Sequence, residues 1–135
     1  MTEFFWPVRV YYEDTDAGGV VYYANYLKFM ERARSEWLRK LGFEQDQLLR
    51  KEGLVFAVRK VSLEYLKPAR FNDLLSVSVK IFDQGAASID FDQGISDQSG
   101  NMLCQGRIKI VCVDAISLRP RPLPGVILSE LKNVG

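Results

Sequence analysis

One stretch of helical periodicity, followed by four stretches of strand-like alternation, constrains the fold of this chain more than any other feature. Apolar residues recur every three or four positions between Asn25 and Leu41, which is the spacing of one buried helix face. Short turns separate the last three of the later stretches, which indicates antiparallel neighbours. The four stretches that alternate apolar with polar residues, as half-buried strands do, are residues 54–67, 73–83, 86–97 and 102–114.

The remaining elements complete an α+β pattern. A strand is expected at residues 6–12, before the long helix, and a shorter helix at residues 44–52, after it. One long helix can cover only one face of a sheet, so the pattern predicts a helix packed on a five-stranded antiparallel sheet. With 135 residues the chain has the size of one domain, residues 1–135. Gly94 and Gly106 interrupt two strands and are interpreted as bulges.

Composition excludes several classes of function. The 18 basic and 17 acidic residues leave a formal charge of +1, too small an excess to hold a nucleic acid. No window approaches the roughly 20 apolar residues of a membrane span and no signal peptide is evident, so we expect a cytoplasmic protein. Cys104 and Cys112 have apolar neighbours, which favours buried free thiols over a redox role.

The chain contains no histidine. This absence excludes the Ser/His/Asp and Cys/His catalytic arrangements, histidine-containing zinc sites and any histidine general base. If the chain is an enzyme, a carboxylate or a backbone dipole has to carry the chemistry. The segment before the long helix offers both kinds of group.

That segment, "EDTDAGG" at residues 13–19, places three carboxylates and two glycines directly before the long helix. One interpretation is a polar loop whose acids cap the helix N-terminus, where negative charge is favoured. Gly18 and Gly19 favour a second interpretation, because adjacent glycines permit positive φ and let a ligand approach the backbone closely. A metal site is disfavoured, because the spacing of the three acids does not match a calcium loop.

The start of the long helix supplies groups that can act on an acyl carbon. Unpaired N–H groups there can polarise a carbonyl oxygen and hold the negative charge that develops when the carbonyl is attacked. A nearby carboxylate, once desolvated, can attack that carbonyl or activate a water molecule. Apolar and aromatic side chains from Val20 to Tyr23 would wall the same small volume. Together these groups suit hydrolysis of an activated acyl group.

The segments "VRVYYEDTDAGGVVYYANYLKFMERAR", "RKVSLEYLKPARFNDLL" and "VCVD" carry a resemblance that extends from about residue 5 to residue 124. The chain resembles the hotdog-fold acyl-CoA thioesterases of the 4-hydroxybenzoyl-CoA thioesterase class, and most closely their YbgC-like, Tol-Pal-associated branch. The resemblance implies a hotdog fold, a long central helix wrapped by the sheet, and a homo-oligomer that is a dimer or a homotetramer built from two dimers. It also implies an enzyme that hydrolyses the thioester of an acyl-CoA. Coenzyme A is then part of the substrate, and no cofactor is expected.

The resemblance also assigns roles to residues. Asp16 falls on the catalytic aspartate, as nucleophile or general base, and the backbone N–H near Tyr23 falls on the group that polarises the thioester carbonyl. The branch usually carries a histidine at the position of Tyr23, so this chain keeps the backbone donor without that imidazole. The residues expected to line the site are Tyr12, Gly18, Gly19 and Val20.

Coenzyme A carries phosphates, so cations are expected around its channel. For the arginines of the tail "RPRPLP", residues 119–124, the alternative is ordinary solvation. The cations considered for this role are Arg59, Lys60, Arg70, Arg119 and Arg121.

Some alternatives remain open at this point. A non-catalytic acyl-CoA or acyl-carrier-protein binding protein would keep the pocket without the turnover, whereas a hotdog dehydratase is disfavoured by the missing histidine. Association with the Tol-Pal system or acyl carrier protein rests on the resemblance alone. The acyl group, short-chain or aromatic, is also left open.

Overall fold

The computed structural model describes residues 3–134, with side chains up to Leu131. A single 3-10 turn, Tyr12–Asp14, follows the first strand. The five strands form an antiparallel sheet in the order β1-β3-β4-β5-β2, which confirms the predicted α+β class. The elements are β1 (Phe4–Arg9), α1 (Asn25–Lys40), α2 (Gln45–Glu52), β2 (Leu54–Tyr65), β3 (Leu74–Gln84), β4 (Ser88–Ser96), β5 (Met102–Asp114) and α3 (Gly125–Val134).

α1 packs its apolar face on the sheet, as the periodicity predicts. The side chains of Phe29, Met30 and Ala33 are fully buried, and the Trp37 ring meets Phe91 of β4 edge to face with centroids 5.2 Å apart. The helix ends at Lys40, and Gly42, two residues later, has a φ of 100°, which suits a residue without Cβ. α1 therefore begins and ends within one residue of the predicted bounds, and the core lies between it and the sheet.

A polar contact between α1 and β4 lies inside this core. The Gln93 side chain is 1% exposed; its Oε1 accepts a hydrogen bond from Arg34 Nη1 at 2.9 Å, and its Nε2 donates to the Met30 carbonyl at 3.1 Å. Burial lowers the pKa of the Arg34 guanidinium, although the nearby Glu31 carboxylate opposes this. The pair pins the middle of α1 to the sheet.

The first strand is shorter than predicted. β1 ends at Arg9 instead of residue 12, so Tyr12 lies in the 3-10 turn. The change of direction is stabilised by Asp14, whose Oδ2 accepts the Tyr11 N–H at 2.8 Å. Period-two alternation continues through the turn by coincidence of residue type, so the sequence alone does not reveal where the strand stops.

Two further predictions need correction. The sheet has register shifts between Val58 and Lys60, between Ile81 and Asp83, and between Ile95 and Ser96, whereas Gly94 and Gly106 pair in register. Gly106 is required for another reason, because a Cβ there would lie 2.1 Å from the Ser62 carbonyl oxygen of β2.

The sequence pattern does not predict α3. This helix begins directly after Pro124 and buries Ile127 and Leu131, which are four residues apart and therefore on one face. The segment before α3, "RPRPLP" at residues 119–124, contains no regular helix or strand. It is attached to β5 by an isolated bridge between Val113 and Pro120.

Candidate active site

The glycine turn, residues 16–20, is closed by hydrogen bonds around Asp16. Its Oδ1 accepts the Gly18 N–H at 2.8 Å, its carbonyl accepts the Gly19 N–H at 3.0 Å, and its own N–H donates to the Val20 carbonyl at 2.9 Å. Gly19 has a φ of 80°, which only glycine adopts without strain. The positive φ predicted for the glycine pair is therefore found at Gly19. At Gly18 a Cβ would lie 3.2 Å from Asp16 Oδ1, so a larger residue there would crowd the carboxylate.

Backbone contacts fix the glycine turn against the loop that connects β2 to β3. Thr15 and Val21 form an isolated bridge across the turn, and Val20 forms another with Arg70. The Val21 N–H also donates to the Ala69 carbonyl at 2.9 Å. Two segments about 50 residues apart in sequence are thus joined, which places Arg70 beside Gly19 and Val20.

Asp14 connects the same loop to α1. Its carbonyl accepts the Tyr22 N–H at 3.0 Å and the Asn25 Nδ2 at 2.9 Å, and Asn25 is the first residue of α1. Asp14 is only 7% exposed and its carboxylate holds Tyr11, so this acid is a structural element of the loop. Asn25 has a positioning role that the sequence did not indicate, since an asparagine at a helix start normally caps its own helix.

The start of α1 presents free backbone donors. Its N-cap is Ala24, which has no side chain to cap the helix, and within residues 3–134 the N–H groups of Tyr23 and Ala24 donate to no other group. The Tyr23 carbonyl accepts the Tyr65 hydroxyl at 3.1 Å, which orients the end of that residue. The donors expected for a carbonyl oxygen are therefore present and unpaired at this position.

Aromatic side chains surround the helix start. The rings of Tyr23 and Tyr65 are perpendicular with centroids 6.4 Å apart, and Tyr26 packs against Tyr65 at 5.4 Å. Burial raises the pKa of Tyr26, whose hydroxyl oxygen accepts the Ala69 N–H at 3.0 Å. Desolvation also raises the pKa of Tyr65, which keeps its hydroxyl protonated as a donor to Tyr23.

The expectation that folding desolvates the acid is wrong for the single chain. Asp16 is exposed, together with Gly18 and Gly19, so water reaches the carboxylate. The local sequence explains this result, because the three residues that follow the acid in the tight turn, Ala17, Gly18 and Gly19, offer no side chain larger than a methyl group to cover it. Desolvation of Asp16 therefore requires another molecule, either the substrate or a second chain.

The predicted site residues fall into two groups. The first group lies at or beside the glycine turn and consists of Tyr12, Gly18, Gly19, Val20 and Arg70. Arg59 and Lys60 lie in the middle of β2, and Lys60 is five residues, or about 16 Å along the strand, from Tyr65. Arg119 adjoins the Val113–Pro120 bridge, and Val113 pairs with Val55 near the other end of β2. One chain therefore does not bring these three cations to the glycine turn.

Arg121 is also remote from the glycine turn. Its guanidinium donates to the Glu52 carbonyl at 2.8 Å and approaches the Asp114 carboxylate at 3.9 Å. Arg121 therefore holds the tail against the end of α2. This contact differs from both earlier expectations, which were that Arg121 binds a phosphate or is fully solvated.

Some residues beside the site were missed. Phe71 stacks on Tyr12 with ring centroids 3.9 Å apart, because Arg70 pairs with Val20 and brings the next residue alongside the 3-10 turn. No local signal in the sequence could have paired them.

Within residues 3–134, no three cysteine, aspartate or glutamate side chains are close enough to hold a metal ion together.

Comparison with known proteins assigns this chain to a family. The family model described as "Thioesterase-like superfamily" matches residues 10–131. The acyl-CoA thioester hydrolase YbgC of Escherichia coli O157:H7 is 47% identical over 132 residues, which cover 98% of each chain. The chain belongs to the thioesterase-like superfamily.

Further relatives agree with this assignment. The acyl-CoA thioesterase YbgC of Haemophilus influenzae is 45% identical and covers 90% of this chain and 88% of its own. The crystal structure of a probable thioesterase from Bartonella henselae superimposes with a TM-score of 0.86 at 36% identity, covering 91% of this chain and all of the other. The predicted thioesterase class and YbgC-like branch are confirmed.

Among the described residues, no helix combines the length and the apolar character needed to cross a membrane. The longest helix, α1, has 16 residues and carries charged side chains on its outer face.

Proposed function

We propose that this chain hydrolyses an acyl-CoA thioester to the free acid and coenzyme A. The Asp16 carboxylate either attacks the thioester carbonyl, releasing the coenzyme A thiolate, or takes a proton from the water that attacks it. In both routes the carbonyl oxygen gains negative charge, and the free N–H groups at Tyr23 and Ala24 stabilise it. In the first route water then hydrolyses the mixed anhydride between the acyl group and Asp16, which releases the acid and restores the carboxylate, and in the second route the attacking water becomes part of the acid directly. In both routes the coenzyme A thiolate takes up a proton.

The observation that carries the proposal is the direct connection between the carboxylate and these donors. Asp14 links the loop to the start of α1 through Tyr22 and Asn25, and Asp16 follows two residues later on a turn closed by its own hydrogen bonds. The unpaired N–H groups lie on the same short path along the chain.

The surroundings support a short-chain or aromatic acyl group. Tyr22, Tyr23 and Tyr65 offer exposed aromatic surface at the helix start. Phe56 lies apart from them and lines a cavity of about 100 Å³ beneath the C-terminal half of α1. Apolar contact with the three tyrosines therefore favours a small acyl group that stays near the turn.

Several parts of the proposal rest on the resemblance. The chain acts as one thioesterase domain in the cytoplasm, needs no cofactor, and assembles as a dimer or as a dimer of dimers. A second chain over the turn would supply the desolvation that Asp16 lacks in the single chain. Association with the Tol-Pal system or acyl carrier protein remains a prediction.

The decisive experiment measures release of free thiol from a panel of acyl-CoAs that differ in chain length and aromaticity. Asp16→Asn removes the nucleophile or base and should lower kcat by at least 10²-fold, the lower range for a positioned acid-base group. Glu13→Gln is the matched control, because Glu13 is an exposed acid three residues away with no assigned contact.

Two results would contradict the proposal. Asp16→Asn turning over at the native rate would remove Asp16 from the chemistry. If the native protein bound acyl-CoA in equilibrium dialysis without hydrolysing any member of the panel, the non-catalytic binding protein would replace the enzyme.

A further inference from the structure

The hydroxyl of Tyr65, the last residue of β2, is bonded to the backbone at the start of α1. It donates to the Tyr23 carbonyl at 3.1 Å. That carbonyl belongs to the same peptide group as the Ala24 N–H, which is one of the two free donors at the helix start. Because a peptide group is planar and trans, its C=O and N–H point in opposite directions. A side chain that fixes the carbonyl therefore also fixes the direction of the N–H.

The first turn of α1 leaves the Tyr23 carbonyl open to a side chain. In a regular α-helix the Leu27 N–H would donate to this carbonyl, four residues earlier. Here it donates to the Ala24 carbonyl instead, at 3.2 Å. Within residues 3–134 no backbone N–H donates to the Tyr23 carbonyl, so the Tyr65 hydroxyl takes the place of the missing helix bond. The orientation of this peptide group thus depends on a residue of the sheet.

Both the backbone and the ring of Tyr65 are held in place. Its backbone pairs with Cys104 of β5, and the next residue, Leu66, donates its N–H to the Leu103 carbonyl at 2.8 Å. Its ring packs against Tyr26 with centroids 5.4 Å apart, and Tyr26 is only 3% exposed. A paired strand end and a buried ring therefore present the hydroxyl to the helix start in a fixed position.

The same bond strengthens the donor as well as directing it. Hydrogen bonds that follow one another in a chain polarise each other. A bond to a carbonyl oxygen draws electron density from the nitrogen of the same peptide group, so the N–H of that group becomes a better donor. Here the chain runs from the Tyr65 hydroxyl through the peptide group that joins Tyr23 to Ala24, and it ends at the free Ala24 N–H.

We propose that Tyr65 is a positioning residue for the thioester carbonyl. Its hydroxyl orients and polarises the peptide group between Tyr23 and Ala24, so that the Ala24 N–H joins the Tyr23 N–H in stabilising the oxygen that gains negative charge. Tyr65 does not touch the reacting atoms and acts only through the backbone. This inference rests on the proposed function. It makes the end of β2, together with α1, responsible for the geometry of the site.

Tyr65→Phe tests the proposal, because it removes the hydroxyl and keeps the ring that packs against Tyr26. Loss of a whole oxyanion donor costs about 10²- to 10³-fold in kcat, so a donor that is only misdirected should cost about tenfold. KM should change less than about twofold, since the bond acts on charge that develops during the reaction. Tyr11→Phe is the matched control, because Tyr11 is 59% exposed and contacts Asp14 through its backbone N–H.

An infrared measurement distinguishes positioning from a purely structural role. The probe is a ketone analogue of the acyl-CoA in which a methylene replaces the thioester sulfur, and an isotopic label on the ketone carbon separates its C=O band from those of the protein. Hydrogen bonds to a carbonyl polarise it and lower its stretching frequency. The band of the bound analogue should move to higher frequency in Tyr65→Phe and stay in place in Tyr11→Phe.

The outcomes separate this inference from the proposed function. Native kcat in Tyr65→Phe, or a lower kcat with an unshifted band, would overturn the inference while the native protein still hydrolysed thioesters. A higher KM with unchanged kcat would also overturn it, because the hydroxyl would then bind the substrate directly. If the native protein hydrolysed no thioester, the proposed function would fail, and the band of the bound analogue in native protein and Tyr65→Phe would still decide the inference.

Discussion

Asp14 and Asp16 lie two residues apart and do different work. Asp14 is buried. Its carboxylate accepts a hydrogen bond from Tyr11, and its carbonyl accepts hydrogen bonds from Tyr22 and Asn25. Asp16 is exposed. One of its carboxylate oxygens accepts a hydrogen bond from the Gly18 N–H, which leaves the other oxygen available to a ligand. Burial thus separates a structural acid from the acid that we propose takes part in the reaction, within a single tripeptide.

At the same scale, Gly106 is required by the approach of β2 to β5. Its missing Cβ would meet the Ser62 carbonyl oxygen at 2.1 Å and Leu63 Cδ2 at 2.5 Å, and the first of these is backbone that cannot rotate away. Gly106→Ala should lower the free energy of unfolding by about 1 to 3 kcal/mol, the usual cost of overpacking, in urea denaturation. Gly125→Ala is the control, because open space surrounds that position and φ is not positive. A Gly106→Ala variant as stable as the control would contradict this packing.

Cys104 gives a pH dependence that can be measured. Burial raises the pKa of its thiol to about 11 in the folded chain. In the unfolded chain the thiol ionises near its ordinary pKa of about 8.5, so between these values the unfolded state binds fewer protons. The free energy of unfolding should therefore fall as pH rises from about 9 to 11.

Urea denaturation of the native protein and of Cys104→Ala across this pH range isolates the effect. Other groups, including Cys112, whose pKa burial also raises, titrate in both proteins. The native protein should lose stability more steeply than the variant. Parallel pH profiles for the two proteins would show that the Cys104 thiol ionises equally easily in both states.

At the scale of elements, the loop before α1 depends on one side chain. Asn25 belongs to the helix, is 8% exposed, and donates its side-chain amide to the Asp14 carbonyl two residues before Asp16. This bond sets the distance between the carboxylate on the turn and the free N–H groups at the helix start. The loop and α1 therefore act as one unit in the proposed chemistry.

Asn25→Ala should lower kcat about tenfold, because the carboxylate loses its alignment with the donors. It should also reduce the free energy of unfolding by about 1 to 3 kcal/mol, since the Asp14 carbonyl loses a buried partner. Thiol release and urea denaturation measure the two effects. Asn101→Ala, which removes an exposed bond to Asp97 in the β4–β5 turn, should leave kcat intact. Native kcat in Asn25→Ala would exclude this positioning role.

At the scale of the whole molecule, the sheet leaves β2 as one of its two edges. β2 exposes apolar side chains, with Val58 54%, Val61 39% and Tyr65 47% accessible. An apolar edge strand invites pairing with another chain. The predicted homo-oligomer can be tested at this edge.

Val61→Lys should place a charge on that edge and shift the protein towards the monomer of 15.4 kDa in light scattering. If the second chain desolvates Asp16, thiol release should fall together with the mass. Phe5→Lys is the control, because Phe5 is 58% exposed on β1, the opposite edge strand. A native protein that is already monomeric, yet active, would contradict both the assembly and its part in the site.

Much of this molecule follows from local patterns. The bounds of α1, the four later strands and the glycine turn agree with prediction to within about three residues, because periodicity and turn chemistry act over short distances. The end of β1 and the presence of α3 could not be predicted in this way. The buried Asp14 carboxylate decides where β1 ends, and the packing of Ile127 and Leu131 on the core decides where α3 lies. The register shifts likewise fall at residues other than the two strand glycines, although one of them, between Ile95 and Ser96, lies just after Gly94.

Local sequence patterns are sufficient to predict the α+β architecture, the turn that carries Asp16 and the free donors before α1. Long-range contacts are needed to learn that Asp14 is buried and Asp16 exposed, that Arg70 adjoins the turn, and that the Tyr65 hydroxyl reaches the Tyr23 carbonyl. The physical reason is that hydrophobic periods are written along the chain, whereas the surroundings of a charge depend on which distant strands pair and in what register.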